Sequence, residues 1–230
     1  MGWILCLETA TQICSVALCR EGRVAYLKET DEPNAHSRVL AILIRDILEE
    51  AGIRAEELDA VAVSKGPGSY TGLRIGVSAA KGLSYGRDLP LISVPSLASL
   101  AAGAMALEPG ADLYGPMIDA KRMEVYSALF DKDGKEVLKT DARIVDERSF
   151  SDFLPNHRIL FFGDGADKCR SVLTHPNALF HKTIRASASY MARLVQEKFN
   201  AADFEDNAYF EPFYLKDFVA AKPKIKGLFE

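Results

Sequence analysis

Residues 65–86 read KGPGSYTGLRIGVSAAKGLSYG, and the reading of this stretch decides the fold. It follows an apolar, β-branched run at residues 60–63, the pattern of a buried strand. Gly66, Pro67 and Gly68 break that pattern and predict a turn. Ser69 and Thr71 are candidate N-caps for the helix that follows. Gly72, Gly76 and Gly82 fall inside this helix, each costing about 1 kcal/mol against Ala. Glycines at such spacing predict a small-residue face that a backbone or a ligand approaches closely.

Three catalytic or nucleotide-binding readings of the stretch fail on spacing. A P-loop needs Lys and then Ser or Thr after its last glycine, whereas Leu73 and Arg74 follow Gly72. A dinucleotide fingerprint needs G-x-G-x-x-G; Gly66, Gly68 and Gly72 are one residue too wide. Ser93 and Val94 also stand where the acidic ribose-binding residue belongs. A nucleophile elbow needs Ser between glycines as G-x-S-x-G, which Gly68-Ser69-Tyr70 does not supply. What remains is a packing or binding loop.

Composition narrows the class. The 230 residues suffice for one large domain or two small ones. A hydrophobic content of 48% with 26% charged residues is that of a globular chain. The net charge of −4 argues against a broad basic face for nucleic acid. No apolar run reaches the length of a membrane helix. The apolar residues 3–7 are cut off by Glu8, too early for a signal-peptide core. Met1-Gly2 does not complete a myristoylation signal, because Cys6 stands where Ser or Thr is required. Cys6, Cys14, Cys19 and Cys169 lack metal-type spacing and read as buried thiols of a reducing cytoplasm.

Outward from the central stretch, residues 3–7 and 14–19 read as strands, and Glu21-Gly22 turns into a third strand at 24–28. A helix is expected over residues 37–51, stopped by Gly52. Leu40, Leu43, Ile44, Ile47, Leu48 and Ala51 form its buried stripe, with Val39 and Ile42 outside it. A strand at 89–94 and a helix from Pro95-Ser96 to about Leu107 complete the first half. Residues 108–112 form a seam, giving an expected division at 1–108 and 109–230. Beyond it the pattern restarts. Strands at 115–119 and 124–130 and the Asp133-Gly134 turn repeat the opening order, with Asp119 at the strand tip as Glu8 was. This predicts an internal duplication. A strand at 158–162, a turn at Gly163-Asp164-Gly165 and a helix at 188–199, with Met191, Leu194 and Val195 inward, follow. Residues 207–218 are rich in Phe and Tyr, and Lys216, Lys222, Lys224 and Lys226 form a basic end.

Several of these segments together resemble one family. Glu8-Thr9-Ala10-Thr11 with Cys14-Ser15-Val16-Ala17-Leu18 is similar to the opening of the TsaB/YeaZ family. So are His36-Ser37-Arg38-Val39-Leu40, the block from Gly66 to Arg74, Asp119-Ala120, Glu124-Val125-Tyr126 and Pro212-Phe213-Tyr214-Leu215. The resemblance implies an α/β fold, a shortened actin-like ATPase (RNase H-like) architecture of two duplicated subdomains with mixed sheets. It implies a non-catalytic scaffold in threonylcarbamoyladenosine modification of tRNA, paired with a TsaD-like transferase and reached by a TsaE-like ATPase. Contact with tRNA is then indirect, with no membrane partner and with self-pairing when the chain is alone.

The implied contact residues are His36, Val39, Leu40, Ile42 and Leu43 on the first helix. On the second they are Ser69, Tyr70, Gly72, Leu73, Ile75, Gly76, Ala79 and Gly82. Thr9, Thr11, Gly66, Gly68, Thr71 and Arg74 form an expected nucleotide or interface loop. No metal site, catalytic residue or intrinsic cofactor is expected, with ATP or ADP belonging to the complex. TsaD-like enzymes carry H-x-x-x-H, whereas His36 has no second histidine on its helix, and His157, His175 and His181 are scattered. H-E-x-x-H is absent too, which disfavours an M22-type glycoprotease. Glu8-Thr9-Ala10-Thr11 departs from the actin-like Asp-x-Gly-Thr/Ser phosphate loop in both acid and glycine. The alternative is an independent ATPase or kinase in which Glu8 and Asp119 face one cleft around Mg²⁺.

Overall fold

The computed structural model describes residues 2–216. Phe218, Lys222, Lys224 and Lys226 of the aromatic run and basic end lie outside the described residues. The first half contains β1 (Trp3–Glu8), β2 (Cys14–Arg20), β3 (Arg23–Thr30), α1 (His36–Ala51), β4 (Leu58–Gly66), α2 (Tyr70–Arg87), β5 (Leu91–Pro95) and α3 (Ser96–Leu107). The second contains β6 (Leu113–Asp119), β7 (Glu124–Asp131), β8 (Glu136–Ile144), β9 (Ile159–Phe162), α4 (Ala166–Cys169), β10 (Ala178–Phe180) and α5 (Ala192–Asn200).

The strands form two five-stranded sheets, in the orders β3-β2-β1-β4-β5 and β10-β9-β6-β7-β8. In each sheet a three-strand antiparallel meander is extended by two parallel strands on the far side of its first strand. The repeat seen in the strand pattern is therefore a repeat of topology. Two short connections make it cheap to form, because Glu21 (φ 54°) and Gly22 (φ 72°) close the first hairpin with left-handed backbone.

Period-two alternation fixes which face of β1 meets which layer. Leu5 and Leu7 join Leu40, Ile44 and Ile47 of α1 and Val77 and Ala80 of α2. Ile4 and Cys6 point the other way, onto Met191, Ala192 and Val195. Thus α5, from the end of the described chain, covers the back of the first sheet. In exchange, α3 packs Leu97, Leu100 and Ala104 against Tyr114, Ile118 and Phe162 of the second sheet. Each half supplies a helix to the other, which holds the two sheets together. A hydrogen bond from the Ala188 N–H to Ser15 Oγ (2.9 Å) ties the same junction.

Two local expectations change. Residues 188–199 are not one helix: a 3-10 turn (Ala188–Met191) precedes α5, because Ser187 Oγ accepts from the Ser189 N–H and caps a tighter first turn. Val39 is half-buried against the α1 core rather than outside it. The aromatic residues 207–216 form neither strand nor helix. They run as a strap held by Glu205 N–H to Leu91 O (2.8 Å) and Phe213 N–H to Lys65 O (2.7 Å). Among the described residues no helix is long and apolar enough to cross a membrane.

Candidate functional site

The glycine block does its closest packing inside the chain. Ser69 caps α2, its Oγ accepting from the Gly72 N–H (3.3 Å). A Cβ on Gly72 would stand 2.1 Å from the Thr9 carbonyl, and one on Gly76 would stand 2.1 Å from Thr9 Oγ1. The small-residue face at Gly72 and Gly76 therefore seats the turn after β1, not a partner. Leu40 and Leu73 are likewise spent in the chain's own core, 3% and 1% exposed. These four residues are removed from the expected contact set, because their surfaces are already covered.

Both α1 and α2 leave apolar or small residues open. On α2, Ile75, Ala79, Gly82 and Gly86 recur at i, i+4, i+7 and i+11, one helix face. Ile75 and Ala79 are half-buried, while Gly82 and Gly86 have no other atom within 4 Å of a built Cβ. On α1, Val39 and Leu43 are half-buried and Ile42 is 43% exposed. Beside them Tyr85 stands almost fully exposed.

A cleft of about 750 Å³ opens at the N-terminal ends of both helices. Thr11, Gln12, Asn34, His36, Ser37, Thr71 and the 68–70 loop form one wall; Asp119, Lys121, Tyr126 and Asp164 form the other. Gly66 and Thr9 lie behind this wall, Gly66 (φ 113°) under the Phe213 carbonyl. Arg74 points away, donating to Tyr70 Oη (2.8 Å) and lying over the Tyr70 ring, which stacks on Tyr214.

The two strand-tip acids do not face this cleft as a pair. Glu8 is 1% exposed, and its Oε1 accepts from the Ala10 N–H (2.7 Å) and Ser64 Oγ (2.8 Å). Burial raises its pKa to about 7 against the lowering effect of those hydrogen bonds. Asp119 does line the cleft, but it is hydrogen-bonded and ion-paired to Lys168 and accepts from the Lys121 N–H (3.1 Å). Burial pushes Asp119 up, and the Lys168 and Lys121 contacts outweigh it and hold the carboxyl below the usual range. Asp164, raised by burial, accepts from the Asp119 N–H (3.0 Å). Among the described residues no three His, Cys, Asp or Glu side chains converge as metal ligands. Ser64 and Lys168 escaped the sequence reading. The one signal for Ser64 is a hydroxyl in an otherwise apolar strand; Lys168 gives none, since its partner is far away in the chain.

Two sheets of one order, each lent a helix by the other half, define a shortened actin-like fold. At the level of fold alone, the activator of a 2-hydroxyisocaproyl-CoA dehydratase from Clostridium difficile shares it, with a TM-score of 0.53 at 9% identity over 89% of this chain and 98% of that one. Residues 31–224 match the family profile described as TsaD, tRNA N6-adenosine threonylcarbamoyltransferase. The Haemophilus influenzae tRNA threonylcarbamoyladenosine biosynthesis protein TsaB is 30% identical over 97% of both chains. Its Escherichia coli counterpart is 40% identical over 56% of this chain and 55% of its own length. YeaZ from Pseudomonas aeruginosa superimposes with a TM-score of 0.77 at 28% identity, covering 94% of this chain and all of that one. The chain belongs to the TsaB/YeaZ family.

Proposed function

We propose that this chain is a non-catalytic cytoplasmic subunit that pairs with a TsaD-like transferase in forming threonylcarbamoyladenosine on tRNA. The observation that carries the reading is the uncovered face of α1 and α2. Ile42, Ile75, Ala79 and Gly82 line two adjacent helices there, and Gly82 and Gly86 leave open space for a closely approaching backbone. The condition of Glu8 and Asp119 supports the same reading from the other side. One acid is buried in hydrogen bonds and the other is neutralised by Lys168, so neither is free to hold a metal-bound triphosphate. ATP or ADP then belongs to the assembled complex, with a TsaE-like ATPase, and tRNA is reached through the partner.

Gly82 separates docking from folding. Gly82→Arg sets its Cβ where no atom of another element lies within 4 Å, and replaces a poor helix former with a good one. It is expected to raise the unfolding free energy by about 0.5–1 kcal/mol. The same side chain fills the docking groove, so affinity for the TsaD-like protein of the same organism is expected to fall at least tenfold by calorimetry. Undiminished binding by this variant would place the interface elsewhere. Without the partner, the same face predicts concentration-dependent self-pairing that Gly82→Arg also removes.

A further inference from the structure

A second apolar surface lies along the strap. A groove of about 840 Å³ is walled by strap residues 213–216, the β6–β7 turn and the end of β8. Its floor is Met123, Tyr126, Ile144, Phe213, Tyr214 and Leu215. Ile144 is 74% exposed, and Phe213 and Tyr214 are exposed beside it. Single exposed apolar side chains are ordinary, but a contiguous set lining a groove marks a surface that another molecule covers.

The rim of the groove is cationic. Lys121, Arg122 and Lys216 stand there against one carboxylate, Glu124, in a chain whose net charge is −4. Lys216 is ion-paired to Glu124, and Lys121 Nζ lies 3.6 Å from Asp119. Arg122 is exposed and has no ion-pair or hydrogen-bond partner among the described residues. The backbone that presents these cations is strained. Lys121 (φ 75°) and Arg122 (φ 53°) are successive left-handed residues, at a turn that ordinarily takes Asn, Asp or Gly. The turn is held on both sides: Ala120 N–H donates to Glu124 O, Glu124 N–H to Lys121 O (both 3.1 Å), and Lys121 N–H to Asp119 Oδ1 (3.1 Å). Strain held in this way is found at ligand clamps, where the conformation serves the contact.

We infer that this groove docks an acidic peptide segment of a protein partner. Its carboxylates meet Arg122 and the rim lysines, and an apolar or aromatic side chain rests on Ile144 and Phe213. Aromatic and cationic groups together also suit single-stranded RNA, but this groove favours peptide. The Tyr70 and Tyr214 rings pack on each other and Arg74 lies over Tyr70, so neither ring is a free platform for a base. Met123, Ile144 and Leu215 make the floor partly aliphatic, and the negative chain repels a polyanion more than a peptide with a few carboxylates. Gly82 is not part of the groove, so docking here does not depend on pairing through the α1–α2 face.

The test follows the ¹H–¹⁵N NMR signals of the full chain during titration to millimolar concentration with three probes. These are the capped peptide EEWLEE, its basic counterpart KKWLKK, and hexauridylate. A saturable shift is expected with EEWLEE, confined to residues 120–126, 144 and 213–216, with the other two probes weaker by about tenfold or more. Ile144→Asp changes an exposed side chain and is expected to weaken EEWLEE by about tenfold. Arg122→Gly relieves the left-handed strain, so it is expected to raise the melting temperature while weakening EEWLEE about fivefold. Gly82→Arg is expected to leave this binding unchanged. Absence of shifts with EEWLEE, shifts elsewhere on the chain, or an equal response to KKWLKK or hexauridylate overturns the site. Groove signals that move on diluting the chain alone assign the groove to a second copy. Signals that move when residues 217–230 are removed assign it to the chain's own end, and either result also overturns the proposal.

Discussion

Gly72→Ala is expected to lower the unfolding free energy by about 3 kcal/mol, the upper range for forcing atoms into a filled interior. The added methyl would stand 2.1 Å from the Thr9 carbonyl, and neither side has slack. Gly72 lies in the first turn of α2, fixed by the Ser69 cap. Thr9 follows directly on the central strand β1, and its N–H donates to Ser64 Oγ (3.3 Å). The clash is with backbone, which cannot rotate away as a side chain would. Urea denaturation of Gly72→Ala beside Gly82→Ala provides the comparison within one helix. The first is expected to destabilise and the second to stabilise by about 0.5–1 kcal/mol. Equal stability of Gly72→Ala and the parent would mean that α2 does not rest on the β1 turn.

The second large effect is on the pH dependence of stability. Glu8 has a folded-state pKa of about 7, raised by burial, against an unfolded value of about 4.3. Below the unfolded value both states hold the proton, and the fold has its full stability from this group. Between roughly pH 4.3 and pH 7 the unfolded chain releases the proton while the folded chain keeps it, so stability falls as pH rises. The integrated loss is about 4 kcal/mol, levelling off once the folded carboxyl also ionises near neutrality. Asp119 acts in the opposite sense and in a lower window. Its depressed pKa gives stability above the unfolded aspartate value that is lost as pH falls. Glu8→Gln keeps an oxygen to accept from the Ala10 N–H and Ser64 Oγ but cannot ionise. Denaturant titrations across pH 4 to 8 are expected to show the decline in the parent and a flattened profile in Glu8→Gln; parallel profiles would contradict the assignment.

How far the sequence could be read depends on the range over which each signal acts. The central strands were legible because β1, β2 and β4 are almost continuously buried and so almost continuously apolar. The repeat of strand order was legible from the spacing of its turns. The three-residue β10 was not, since Ala178, Leu179 and Phe180 carry no alternation long enough to read. The glycines of α2 announced a close contact, but local pattern says nothing about its other member. Thr9 lies more than 60 residues away in the chain, and the contact at Gly72 and Gly76 is tertiary. The alternative that set Glu8 in a cleft fails for a related reason. A strand-tip acid reads as facing a cleft, whereas the 9–11 turn folds back so that Ala10 and Ser64 enclose the carboxylate. The partly empty face at Gly82 was visible as a small residue at helical spacing. Its openness became visible only with the neighbouring elements in place.

The central claim, a non-catalytic partner acting through the α1–α2 face, is tested most directly by reconstituting threonylcarbamoyl transfer to tRNA with the TsaD-like protein of the same organism. The other required components are present and this chain is varied. The account predicts that modification depends on this chain, saturates at one copy per transferase, survives Glu8→Gln and Asp119→Asn, and is lost with Gly82→Arg. Full modification without the chain would contradict it, as would activity that tracks Glu8 and Asp119 but ignores Gly82.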